Sequence, residues 1–127
     1  MLRNVKRIVY VKKTMKSEIF ELELQEDKNI LKYGEYIEKN NGIMIDNDLA
    51  IHYLDNLFRI IDGWKSKYEN KNMIDGTEWK LQITYKNGEI KQYVGKNDFP
   101  ANFEYLDRIK NEMITQLQEN KYESFRY

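Results

Sequence analysis

The stretch from about Thr77 to Gly95 constrains this chain more than any other. In Trp79-Lys80-Leu81-Gln82-Ile83-Thr84-Tyr85 every odd position is apolar or aromatic and every even position is polar. Successive side chains of a strand point to opposite sides, so this alternation describes a half-buried strand. Asn87-Gly88 follows, the strongest short-range hairpin signal, because both residues tolerate the positive φ of a type I′ turn. A two-residue loop then sets a register: Lys86 opposite Glu89, Tyr85 opposite Ile90, Ile83 opposite Gln92, Leu81 opposite Val94. On that register Trp79, Leu81, Ile83, Tyr85, Ile90 and Val94 share a core face, with Gln92 the exception. Lys80, Gln82, Thr84, Lys91 and Tyr93 share the other face and form the candidate interaction surface.

The rest of the chain supplies further strands and two helices. Arg7 to Val11 is β-branched and aromatic, and Ile19 to Gln25 alternates, with Phe20, Leu22 and Leu24 on one side and Glu21, Glu23 and Gln25 on the other. Glu26 to Asn29 is a turn cluster, and alternation resumes from Ile30 to Asn40, with Leu31, Tyr33 and Ile37 on one face. Asp46-Asn47-Asp48 then carries helix-capping residues. Leu54, Leu57, Phe58, Ile61, Trp64 and Tyr68 recur at three- and four-residue steps, which predicts a helix from about Asp48 to Ser66. Residues 68–75 read as a polar connection. After the hairpin, Pro100 suits the first turn of a helix. Phe103, Leu106, Ile109, Met113 and Leu117 carry that helix to about Gln118. The expectation is one α+β domain over residues 1–127. It has a five-stranded antiparallel sheet, in the order βββ-α-ββ-α along the chain, with two helices packed on one face.

Composition narrows the chemistry. There are no cysteines, which excludes a disulfide framework, a thiolate zinc site and a cysteine nucleophile. His52 is the sole histidine, too few for a His-His metal site. Asp46 and Asp48 do not begin a calcium loop, since Ile51 and Leu57 stand where glycine and glutamate belong. No phosphate-cradling glycine loop, nucleophile elbow or zinc-protease motif occurs. The expectation is therefore a non-enzyme with no catalytic residue, no metal and no cofactor. No apolar run approaches the roughly 18 residues of a membrane span, and with no leader-like segment the expected location is cytoplasmic.

Lys plus Arg and Asp plus Glu each number 21, so the chain has no bulk electrostatic reason to seek nucleic acid or acidic membrane. The charge is uneven, however. Arg3, Lys6, Arg7, Lys12, Lys13 and Lys16 all precede the first acid, Glu18. They form a candidate basic patch, read either as a lysine-decorated strand edge that discourages aggregation or as a phosphate contact.

The run Asp75-Gly76, Trp79-x-Leu81-x-Ile83-x-Tyr85, Asn87-Gly88, Gly95 and Phe99-Pro100-x-Asn102-Phe103 resembles a pattern in small uncharacterised proteins and lipoproteins of Firmicutes and their mobile elements. Trp64 echoes an aromatic that such proteins carry ahead of the motif. Asp98 and Phe99 depart mildly from the commoner Asn-Ala-Tyr. The resemblance covers a quarter to a third of the chain. It implies a scaffold and brings no catalytic residue.

With ten tyrosines in 127 residues and no catalytic constellation, the leading expectation is a non-catalytic protein-binding module. Its partner would be another protein, or a second copy of the chain. One alternative is a phage or mobile-element inhibitor of a host defence nuclease, of the anti-CRISPR type. The other is a nucleic-acid or nucleotide binder using the basic N-terminal strand.

Overall fold

In a computed structural model, residues 4–72 and 76–124 are described, with side chains through Gln118. Arg3 of the basic patch and Asp75 of the motif lie outside the described residues. Seven strands form one sheet in the order β4-β3-β2-β1-β6-β7-β5. The strands are β1 (Val5–Lys13), β2 (Ser17–Leu24), β3 (Asn29–Gly34), β4 (Ile43–Ile45), β5 (Lys67–Glu69), β6 (Glu78–Tyr85) and β7 (Ile90–Lys96). Helix α1 (Asn47–Ile61) lies between β4 and β5 in the chain, and α2 (Glu104–Ser124) follows β7. No described helix is long and apolar enough to cross a membrane.

The α+β class is as expected, but the sheet has seven strands rather than five, and it is mixed. Two three-residue edge strands make the difference. The alternation from Ile30 stops at Gly34, a short 3-10 turn occupies Ile37–Lys39, and Ile43–Ile45 then pairs antiparallel with Asn29–Leu31. Lys67–Glu69, read above as a connection, pairs in parallel with Val94–Lys96. Such segments are too short to show a period of their own; their partner strands define them.

Helix α1 begins where capping chemistry places it. The Asp46 carboxylate accepts from the Leu49 N–H at 2.8 Å. The helix stops at Ile61, shorter than its periodicity implies, and Trp64 N–H donates to the Ile61 carbonyl at 3.0 Å. Both helices pack on the Trp79 side of the sheet. Ile8, Tyr10, Phe20, Leu22, Leu31, Leu81 and Ile83 are buried there against Leu54, Leu57 and Leu106. Ring contacts cross the layers from Phe20 to Tyr53 and from Tyr10 to Phe103.

The hairpin register is one residue away from expectation. Tyr85 N–H donates to the Glu89 carbonyl at 2.8 Å, and Gly88 N–H to the Tyr85 carbonyl at 3.0 Å. The loop is thus Lys86-Asn87-Gly88, three residues, with Gly88 at φ 90° in the left-handed position that closes this loop type. Thr84 now faces Ile90, Ile83 faces Lys91, Gln82 faces Gln92 and Leu81 faces Tyr93. A slip of one residue turns every β7 side chain to the other face. Trp79, Leu81 and Ile83 stay buried, whereas Ile90 and Val94 leave the core face and Tyr93 joins it.

Candidate functional site

The sheet face opposite the helices has no covering element among the described residues. Its layout follows from the ladders. One row across the strands reads Met44, Ile30, Glu23, Arg7, Thr84, Ile90. The next reads Lys32, Glu21, Val9, Gln82, Gln92, and a third Ile19, Val11, Lys80, Val94, Lys67. Val9, Val11, Ile19, Ile30 and Val94 are half-buried by their neighbours alone. Met44 and Ile90 are 71 % and 55 % exposed, so the two ends of the first row are apolar and open to solvent.

Of the candidate surface, Lys80, Gln82 and Thr84 occupy this open face. Lys91 and Tyr93 do not: the register turns them to the helix side, where the Tyr93 ring meets Trp64 edge-on at 5.9 Å. Their places are taken by Ile90, Gln92 and Val94. The signal that could have found this is Gly95, which belongs opposite Trp79 because only a glycine leaves room for the indole.

The basic patch is dispersed. Arg7 lies on the open face between Glu21 and Glu23, 3.9 and 3.6 Å away. Lys12 is on the helix face and contacts Asp107 at 2.8 Å. Lys13 and Lys16 stand at the β1–β2 turn, and Lys6 is at the opposite end of β1, about 23 Å from Lys13 at the rise of a strand. Among the described residues these cations do not make one phosphate-tracking surface.

Two polar clusters on the helix side are structural in their geometry. Asp107 accepts from the Tyr10 hydroxyl at 2.9 Å and from Lys12, while Lys110, only 8 % exposed, lies 3.6 Å from Asp107 and 3.4 Å from Glu18. Burial, then the adjacent Asp107 carboxylate, pushes the Tyr10 phenol far above its ordinary pKa. Tyr10 therefore stays protonated as a donor and is no base. The cluster stitches α2 to β1 and β2.

The second cluster holds the motif residues. Trp64 Nε1 donates to Asn102 Oδ1, and Asn102 Nδ2 donates to the Ile60 carbonyl, both at 2.8 Å. Trp79 Nε1 donates to the Asp98 carbonyl at 3.0 Å. Trp79 and Phe99 each pack on Phe103 with centroids 4.8 Å apart. Asn102 thus ties the end of α1 to the start of α2, and the aromatic rings fill the space between.

His52 is exposed on α1, 3.3 Å from the Asn56 amide. No group of three or more His, Asp or Glu residues able to hold a metal occurs among the described residues. Comparison with protein-family models, with curated proteins and with solved structures finds no match to this chain.

Proposed function

We propose that the protein is a non-catalytic protein-binding module that docks its partner on the open sheet face. One observation supports this reading above the others. The helix layer buries the centre of one side of the sheet, while the other keeps a connected apolar stripe through Val9, Val11 and Ile19 with Gln82 and Lys80 beside it. Seven strands of three to nine residues, at about 3.3 Å per residue and about 4.8 Å spacing, give a face of roughly 700 Å². A standard interface needs about 800 Å² per partner, so the face has the size of a recognition surface. An apolar centre inside a charged rim is also the usual anatomy of one.

A photo-crosslinking residue at Gln82, compared with one at Asp55 on the outer side of α1, tests the proposal in bacterial cells producing the protein. The expected result is discrete protein adducts at Gln82 and few at Asp55. Equal yields at the two positions, or nucleic-acid adducts in place of protein at Gln82, would overturn it.

A further inference from the structure

The open face is not electrically uniform. Where β1, β6, β7 and β5 run side by side it sinks into a groove of about 490 Å³ floored by Val11 and Val94. Lys13, Lys67, Lys80 and Lys96 rim it, against two acids, Glu69 and Glu78. Four ammonium groups against two carboxylates is a local excess of positive charge on a chain that is neutral overall. The pairings that offset it are loose, with Lys67 3.6 Å from Glu69 and Lys96 4.0 Å from Glu78. Lys13 and Lys80 make no ion pair among the described residues.

The order of side chains matters as much as the charge. Val11, Lys80, Val94 and Lys67 lie in one ladder row, so apolar and cationic side chains alternate across four strands. At a strand spacing of about 4.8 Å, the two lysines of that row are about 10 Å apart. A chain in the extended polyproline II conformation has three residues per turn and rises about 3.1 Å per residue, so residues three positions apart face the same way at about that distance. From this complementarity we infer that the groove takes an extended acidic peptide segment of the partner. Its carboxylates, three residues apart, meet Lys80 and Lys67, the apolar side chains between them pack beside Val94, and one beyond Lys80 reaches Val11. This rests on the reading of the open face as a protein-docking surface and names the chemistry of what docks there.

The test uses a fluorescein-labelled peptide with glutamate at every third position and valine between, titrated with the intact protein and followed by anisotropy. The expected result is saturable binding that weakens as salt is raised. The Lys67→Glu/Lys80→Glu variant should lose about tenfold or more in affinity, since the two lysines that meet the carboxylates are reversed in sign. The same peptide with lysine for glutamate, or serine for valine, should bind at least several-fold more weakly. Lys80→Gln, which only removes charge, should fall between wild type and the double variant, and circular dichroism checks that both variants are folded. No saturation with the glutamate peptide by about 1 mM, equal affinity in the double variant, or tighter binding of a single-stranded oligonucleotide would each overturn the inference. Protein crosslinks at Gln82 together with such a failure would sink the groove assignment alone, whereas loss of both would sink the docking reading as well.

Discussion

Gly95→Ala is the substitution whose cost can be worked most directly from the geometry. Gly95 faces Trp79 across the β6–β7 ladder. A Cβ at residue 95 would fall on the Nε1 and Cε2 atoms of the indole and come within 2.7 Å of the Asp98 carbonyl oxygen. Neither obstacle is a flexible tip. Trp79 is 3 % exposed, bonded through Nε1 to Asp98 and packed on Phe103. Overpacking of this kind costs about 1–3 kcal/mol, and displacing the indole loses a hydrogen bond worth about 1 kcal/mol. Alanine recovers a few tenths through its lower backbone entropy cost. The expected loss is about 3 kcal/mol, or roughly 10–15 °C in Tm for a domain of this length. Urea denaturation followed by circular dichroism measures it, with the slope m unchanged. Trp79→Phe removes the pyrrole edge that the new methyl meets. The double variant should therefore be more stable than the sum of the singles by at least about 1 kcal/mol. A Gly95→Ala protein within about 0.5 kcal/mol of wild type, or strict additivity in the cycle, would refute the reasoning.

Two further outcomes follow from buried polar groups. Asn102→Ala leaves the Trp64 indole N–H and the Ile60 carbonyl without their shared partner and should cost about 2–3 kcal/mol; a change in urea midpoint equivalent to less than about 1 kcal/mol would show that the amide is not the tie between the helices. Burial raises the Tyr53 phenol above its ordinary value of 10.0, so the folded state holds a proton that the unfolded chain releases from about pH 10 upward. The stability this provides is complete below pH 10 and declines above it. The Tyr53 hydroxyl makes no hydrogen bond among the described residues. Tyr53→Phe should therefore match wild type within about 0.5 kcal/mol at pH 7 and lose stability less steeply between pH 10 and 11. Equal slopes for the two proteins would contradict the assignment.

Much of the helix-side core was legible from periodicity, because Phe20, Leu22, Leu81 and Ile83 each sit in strands long enough to show it. The α1 cap was equally legible, since Asp46 acts through a local bond. What escaped was non-local. Lys67-Tyr68-Glu69 becomes a strand only because β7 is beside it, and its parallel sense depends on where α1 sets the chain down. The hairpin shows how little separates a right element from a wrong face. Asn87-Gly88 marks the turn in either reading, but only glycine's left-handed conformation is used, in a three-residue loop. That single residue moved Lys91 and Tyr93 away from the open face and brought Ile90 and Val94 onto it. Three of the five candidate surface residues, Lys80, Gln82 and Thr84, were therefore visible from β6 alone. The groove was not, because its rim is assembled from β1, β5, β6 and β7, which meet only in the folded sheet.

The pairing at the centre of the sheet has a kinetic consequence. β1 joins β6 with Val5 opposite Tyr85 and Lys13 opposite Glu78. Every other antiparallel pair in the sheet is a short-range hairpin or meander step. The β1–β4 meander and the β6–β7 hairpin can each form locally, on the microsecond scale of hairpins, but the strand pair between them must close a long loop before it gains any contact. During synthesis the inner edge of β1, with Ile8 and Tyr10 uncovered, waits until β6 has emerged. The strand that ends up most protected in the native sheet is thus the one whose edge stays open longest during folding, and its aggregation hazard belongs to the nascent chain rather than to the finished protein.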